Sequence, residues 1–495
     1  MAQTKNAASP LYDVVGIGFG PANLALAAAL LERRESHGSD ATPRAVFLER
    51  KEAFGWHRGM LLDDATMQVS FLKDLVTLRN PASRLSFVSY LHARGRLVDF
   101  INHKVLFPSR AEFHDYLEWC ASAADGLVRY GTEVTEVRPV TVDGVTDVLE
   151  LVGRGPGATA DEVLCRTRNL VVATGLKPHL PAGVTPSARV WHSSSLLPGL
   201  AVLPGPPARR FVVVGAGQSA AEATDHLHRT FPEAEVCSVF NRYGYSPADD
   251  SPYANRIFDP GAVDDYYGAG QDVRDRLMEY HRNTNYAVVD LDLIEELYRR
   301  SYQEKVRGRE RLRMMPATTV LGLTEPPAGS GGGPVTVELL RRLDGTTTQL
   351  DADAVVFATG YTAPDPGPLL GKAEPYCARD TAGRLRVARD YRLVTDESLT
   401  AGIYLQGGTE HTHGITSSLL SMAAVRAGEI MDSLLARLGR GVEASAVDSG
   451  TSAPAAPGAV DSGTSAPASG AAGALAGDTA GAAARPATSG VTGRD

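Results

Sequence analysis

Two stretches of the chain have residue types and spacing suited to holding a pyrophosphate. Residues 13–23 read DVVGIGFGPAN and residues 212–222 read VVVGAGQSAAE. In each, a β-branched run enters a glycine turn and then a helix-forming segment. Such a strand end leaves free backbone amides and the positive end of a helix dipole facing an anion, and glycine permits the close approach. The first turn holds Gly16, Gly18 and Gly20, with Pro21 at the first helical position, where a missing amide proton does no harm. The next strand-like run, VFLER, brings Glu49 to where a carboxylate accepts hydrogen bonds from an adenosine ribose, a pattern that suits FAD or NAD. The second turn holds Gly215 and Gly217, followed by Gln218 and Ser219, and its next run ends in Asn241 and Arg242. An acid there would repel a 2′-phosphate and an arginine pairs with it, so the second turn reads as an NADPH site. The competing reading of Arg242 is an ordinary surface charge.

The elements that must carry these turns are legible in the same way. RAVFLER, NLVVATG, RRFVVVG, EVCSVFN and DAVVFATG are strand-like runs, and DLDLIEELYRRSYQEKV is a helical one. Glycine-bounded β-branched runs alternating with helices indicate parallel sheets covered on both faces, an α/β, doubly wound fold. VVATG ends at Gly175 and VVFATG at Gly360. This pairing resembles flavoproteins with two Rossmann-like dinucleotide-binding domains, in which the NADPH domain is inserted in the FAD domain. The resemblance implies an FAD-binding domain at 1–205 and 350–440. It implies an NADPH-binding domain at 206–349, including a helical substrate-binding segment at about 250–310.

Composition narrows the classes. A chain of 495 residues with 43% apolar content buries a sizeable core. A net charge of -9 without a basic cluster argues against nucleic-acid binding. The apolar run within PANLALAAALLERR is too short to span a bilayer and has no secretory leader pattern, so a cytoplasmic protein that does not engage membrane is expected. Cys120, Cys165, Cys237 and Cys377 are scattered, without a CxxC pair or histidines at ligand spacing. Buried, inert thiols are expected, with no metal site and no dithiol chemistry. From 441 to 495 the chain turns to Ala, Gly, Ser, Thr and Pro, and AVDSGTSAPA occurs at 446–455 and again at 459–468. This segment reads as a disordered low-complexity tail. EPPAGSGGGP at 325–334 reads as a loop.

Four longer blocks are more specific: residues 54–100 (FGWHRGMLLDDATMQVSFLKDLVTLRNPASRLSFVSYLHARGRLVDF), SPADDSPYANRIFDP at 246–260, NTNYAVVD at 283–290 and EHTHGITSSLLSMAAVRAGEI at 410–430. In this order they resemble the siderophore-associated N-hydroxylating flavin monooxygenases, the ornithine and lysine N-monooxygenases. The resemblance covers nearly all of residues 10–435, and SFLKDLVTLRNP and LVDFIN resemble the ornithine members more than the lysine or diamine members. It implies that NADPH reduces FAD, that dioxygen adds to give a flavin hydroperoxide, and that the distal oxygen passes to the side-chain amine of L-ornithine. The product would serve a hydroxamate siderophore or a related natural product. The resemblance further implies that Lys73 and Asn255 hold the amino-acid end of the substrate and that Asn285 lies near its amine. Gln68 and His57 would line the flavin, and Arg110, Gln218 and Ser219 would contact NADPH. Asn285 and Gln68 are the candidates for a direct part in the chemistry. A homo-oligomer, a tetramer, is expected on the same ground.

Three features depart from the family's pattern. Arg58 follows His57 where a proline is expected, Ala287 stands where serine is common, and NRYGY leaves Arg242 aligned only to within one position. Lysine or a diamine is the alternative substrate, since one methylene is worth only about 1 to 3 kcal/mol in a pocket. An NADPH oxidase or reductase, or a nucleotide-binding protein without catalysis, are further alternatives, because a fold does not fix a function.

Overall fold

The computed structural model describes residues 9–440, apart from 143, 206 and 327–332. The tail expected at 441–495 and most of the loop expected at 325–334 therefore lie outside the described residues.

Two sheets carry the two glycine turns. The first has seven strands, ordered Val128–Arg129, Ala45–Leu48, Leu11–Ile17, Glu162–Val172, Val145–Arg154 and Glu133–Val142, with Gly402–Leu405 also pairing to Glu162–Val172. The pairings around Leu11–Ile17 and the one made by Gly402–Leu405 are parallel. Val145–Arg154 and Glu133–Val142 add an antiparallel ribbon that the expectation of purely parallel sheets did not include. Val145–Arg154 is exposed at its ends and buried at Leu151, Val152 and Gly153. The second sheet is parallel throughout, ordered Leu312–Met315, Glu235–Val239, Arg210–Val214, Ala354–Phe357 and Val190–His192. This sheet draws on residues 190–192 and 354–357, beyond the 206–349 span read from sequence.

Side-chain alternation explains why both faces of each central strand are covered. In the first strand Val14 packs with Leu24, Leu26 and Phe47 beneath the Pro21–His37 and Ala423–Arg437 helices, whereas Val15 and Ile17 pack with Leu149, Leu170 and Ile403. In the second sheet Phe211 and Val213 meet Ala220 and Leu227 of the Gln218–Thr230 helix, and Val212 meets Val335, Val337 and Leu339. Burying each valine or leucine contributes about 1.5–3 kcal/mol. In both sheets the strand order reverses beside the glycine-turn strand, which is where an open α/β sheet leaves a crevice at its carboxyl edge.

Candidate nucleotide-binding and substrate site

The two turns are built alike. Gly18 donates its N–H to Leu48 and Gly215 to Val239, the ends of the neighbouring strands, at 2.8 and 3.0 Å. The carbonyl of Ala173, in the first ATG, presses on Gly18, and that of Ala358, in the second ATG, presses on Gly215. A Cβ at either glycine would overlap that oxygen, and both glycines hold positive φ, +84° and +147°. The two ATG segments thus stand alike: each alanine carbonyl lies against its own glycine turn.

Around the first turn, Glu49 is buried, and its carboxylate accepts from Phe19 N at 2.7 Å and from Lys51 N at 2.9 Å. The acid is therefore fastened to the turn it was expected to serve. Gly16 lies in the strand, and Gly20 caps the helix with open space where a Cβ would stand. Asn23 braces the turn through Gly18 O at 2.7 Å and accepts from Gln406 Nε2 at 3.1 Å. Among the described residues, the buried Gln406 Oε1 and Thr409 Oγ1 have no hydrogen-bond partner. Open helix amides beside unsatisfied buried acceptors and hydroxyls fit a polar nucleotide, since buried polar atoms are otherwise paired.

The second turn is more crowded. A Cβ at Gly217 would stand 3.3 Å from Ala287 Cα. Gln218 opens the helix, and its side chain is fully engaged: Nε2 donates to Asp290 Oδ2 at 3.0 Å and to Glu222 Oε1 at 3.1 Å, and Oε1 accepts from Asp290 N at 2.9 Å. Ser219 follows it in the first turn, half-buried. Asp290 Oδ2 also accepts from Gln68 Nε2 at 2.7 Å. Arg110 grips Glu222 with both terminal nitrogens at 2.8 and 2.7 Å in a buried ion pair and reaches Met60 O at 3.1 Å. Gln68, Arg110 and Gln218 are thus brought into one network by two acids. Burial and the Glu222 charge raise the Asp290 pKa against the hydrogen bonds from Gln68 and Gln218. Arg242 is half-buried and donates to Ala287 O at 2.8 Å, on the segment that crowds Gly217.

His57 has a left-handed backbone (φ +50°) and lies 4.6 Å from the Trp56 ring and 6.1 Å from that of Tyr361, the residue after the second ATG. His57 as a residue is exposed. Crowding, with the charges of Arg110 and Lys51, pushes its pKa down to about 4, so it is neutral near pH 7. Lys73 is half-buried, and its ammonium pairs with no carboxylate among the described residues. Asn255 lies in the Ala254–Phe258 turn and donates to Asp250 O at 2.6 Å. Asn285 ends a short helix, and the next residue, Tyr286, donates its hydroxyl to Glu410. No hydrogen bond joins Lys73, Asn255 and Asn285 to one another. Two cavities of about 530 and 460 Å³ lie elsewhere, lined by residues such as Arg392 and Arg437 or Arg274 and Arg384, and none of the expected site residues lines either.

Residues 10–363 match the family model described as L-lysine 6-monooxygenase/L-ornithine 5-monooxygenase. The chain belongs to this family. Among its relatives, the L-ornithine N(5)-monooxygenase of Burkholderia cepacia is 43% identical over 82% of this chain and 90% of its own. An ornithine N-hydroxylase from Kutzneria sp. 744, solved with reduced FAD, NADP+ and L-ornithine, has a TM-score of 0.81 and 48% identity over 87% of this chain and all of its own. An L-lysine 6-monooxygenase from Pseudomonas syringae has a TM-score of 0.75 and 33% identity over 86% of this chain and all of its own.

Glu222, Asp290, Asn23 and Gln406 were not among the residues singled out from sequence. Two of them had a signal. Glu222 lies one helical turn after Gln218, on the same face, and Asp290 ends the NTNYAVVD block. Gln406 had none, because its partner Asn23 is distant in the chain and only the pairing of the Gly402–Leu405 strand brings them together. The four cysteines are all buried and unpaired, and burial pushes Cys165 and Cys237 up to about 12, so they remain thiols.

Proposed function

We propose that this chain N-hydroxylates the side-chain amine of L-ornithine, using FAD in the first cradle and NADPH in the second, for hydroxamate siderophore or related natural-product biosynthesis. The observation that carries the reading is the pair of equivalent glycine turns with unequal surroundings, in a chain of this family. When bound, FAD supplies the oxygen chemistry after reduction by NADPH; the protein binds, orients and excludes water. The Gly20–Pro21 helix start faces the flavin pyrophosphate, Glu49 the adenosine ribose, and His57 and Gln68 the flavin ring. Arg242 takes the 2′-phosphate of NADPH. Because both hydrogens of the Gln218 amide are already spent, Gln218 and Ser219 meet that nucleotide through backbone N–H groups. Arg110, its terminal nitrogens already engaged by Glu222, Met60 O and Thr66 O, borders that nucleotide rather than donating to it.

Lys73 pairs with the substrate carboxylate, which its unpaired ammonium favours. Asn255 holds the α-amino end and Asn285 the side-chain amine. A free alkylamine has a pKa of about 10.4, and the reaction needs it neutral. A neutral amide beside it accepts an N–H without stabilising the ammonium as a carboxylate would. The higher identity to an ornithine than to a lysine enzyme supports ornithine over the longer substrate. No helix among the described residues is long and apolar enough to cross a membrane. We infer a cytoplasmic homotetramer from the family resemblance; the exposed apolar side chains of Val98, Ile101, Leu106 and Phe107 support an interface between copies and bear on neither its number nor the compartment.

The test is a panel of L-ornithine, L-lysine, putrescine and cadaverine, assayed for hydroxylamine product as well as NADPH loss. Ornithine is expected to give hydroxylamine in step with NADPH. Peroxide alone with every amine would favour an NADPH oxidase. Lys73→Ala is expected to raise KM for ornithine at least about tenfold while sparing flavin reduction.

A further inference from the structure

We propose that Asp290 is a positioning residue that sets the register between the two cradles, holding Gln68 on the flavin side and Gln218 on the NADPH side with one carboxylate. The inference rests on the assignment of FAD and NADPH given above.

Three observations carry it. Asp290 precedes the Leu291–Val306 helix, a position where aspartate ordinarily caps the free amides of its own helix. Here its side chain makes no such cap. One oxygen instead accepts from Gln68 at 2.7 Å and from Gln218 at 3.0 Å, residues 222 and 72 positions away. The local stabilisation of a cap has been exchanged for two long-range bonds.

Second, Gln218 is held from both sides, because the Asp290 backbone N–H donates to its Oε1 at 2.9 Å while Glu222 takes its other amide hydrogen. An amide with every hydrogen-bonding group engaged has one orientation, and it fixes the first turn of the Gln218–Thr230 helix at the edge of the second cradle. Gln68 is held by one hydrogen only, leaving its carbonyl oxygen and second hydrogen for the cleft.

Third, a parallel tie runs beside it: Glu222, on the helix that Gln218 opens, holds Arg110 with two bonds. Two acids on the second-sheet side therefore seize two residues on the first-sheet side. Flavin reduction by a nicotinamide requires the two rings at a set distance and angle, and a small misplacement costs rate steeply. Asp290 touches no reacting atom in this scheme; it acts through the two glutamines.

The experiment compares Asp290→Ala and Asp290→Asn with wild type as full-chain holoenzymes. The readouts are the anaerobic rate of flavin reduction at saturating NADPH, NADP+ affinity by calorimetry, flavin content and melting midpoint. D290A is expected to keep its flavin and its midpoint, to slow reduction by about tenfold, and to bind NADP+ at least about threefold more weakly. D290N keeps an acceptor oxygen at the same reach and is expected to recover part of the lost rate. Reduction by D290A at the wild-type rate, no recovery in D290N, or a loss that tracks flavin loss and a lowered midpoint would each overturn the proposal. If D290A does not fold, D290N decides alone: slower reduction sustains the role and an unchanged rate ends it. Wild-type protein that oxidises NADPH but hydroxylates no amine would sink the reaction assigned above and leave this inference standing, because flavin reduction comes before oxygen.

Discussion

The first and second glycine turns share a backbone and differ in what stands in front of them. Both seat a glycine of positive φ against the carbonyl of an ATG alanine, and both open a helix at the carboxyl edge of a parallel strand. At the first, the space beyond Gly20 is open and the buried Gln406 and Thr409 hold unsatisfied polar atoms. At the second, Ala287 leans on Gly217, and the protein's own Asp290 and Glu222 already engage the first helical turn. The comparison teaches that one motif serves two kinds of occupancy. A cradle left unsatisfied suits a group that stays, and a cradle furnished with its own partners suits one that comes and goes.

The sharpest way to break this comparison is to spoil each turn separately. Gly18→Ala puts a Cβ on the Ala173 carbonyl in a left-handed conformation, and Gly215→Ala does the same at Ala358. G18A is expected to purify without bound flavin. G215A is expected to stay yellow and to reduce its flavin with NADPH at least about a hundredfold less efficiently. Absorbance spectra and anaerobic reduction read both, and a colourless G215A would abolish the distinction.

Next in size is the buried Arg110–Glu222 pair. Glu222→Ala strands a buried guanidinium and is expected to cost about 3–5 kcal/mol, measured by denaturant unfolding. E222Q, which keeps an acceptor, should cost less.

A pH dependence belongs to the Glu410–His413 segment. His413 is buried, donates from Nε2 to Arg389 O at 3.1 Å and bonds Thr412 Oγ1 through Nδ1 at 2.8 Å, and burial with nearby Arg389 and Arg426 pushes its pKa down to about 4 against the hydrogen bond to Arg389 O. The unfolded chain takes up the proton near pH 6.5 and the folded one only near 4. Stability from this group is therefore full above about pH 6.5 and falls by about 3 kcal/mol as pH drops to 4. Unfolding titrations between pH 7 and 4.5 should show the slope, and His413→Gln should flatten it.

The smallest effect sharpens the second cradle. Arg242→Ala removes a charge-assisted contact worth about 1.5–3 kcal/mol, so KM for NADPH should rise about 10- to 100-fold while NADH use changes little. An equal loss with both nucleotides would assign Arg242 to holding the Ala287 carbonyl instead.

Much of this is legible in the sequence. The two glycine turns, their strands and the Leu291–Val306 helix follow from β-branched runs, glycine placement and helical periodicity, all of them local signals. Less legible was anything set by long-range pairing. Val190–His192 joins the second sheet because Val190, Trp191 and His192 pair with Val355, Val356 and Phe357, and a three-residue strand carries too little pattern to be assigned from sequence. The antiparallel ribbon of the first sheet likewise depends on pairing between strands that each read ambiguously. At the site, Glu49 stood out because it is at the end of the strand after the first glycine turn, whereas Arg110 was pointed to by the family resemblance alone. Their partners did not stand out: a carboxylate such as Asp290 looks like any helix cap until the fold brings Gln68 and Gln218 to it.

The central claim is that a flavin held at the first turn and NADPH held at the second together place one atom of dioxygen on the ornithine side-chain nitrogen. The direct test is to run purified yellow protein with NADPH and L-ornithine under 18O2 and weigh the product. The account predicts hydroxyornithine carrying a single heavy oxygen, formed in step with NADPH oxidation. Unaltered ornithine with labelled peroxide alone, or a hydroxylated product without the label, would contradict it.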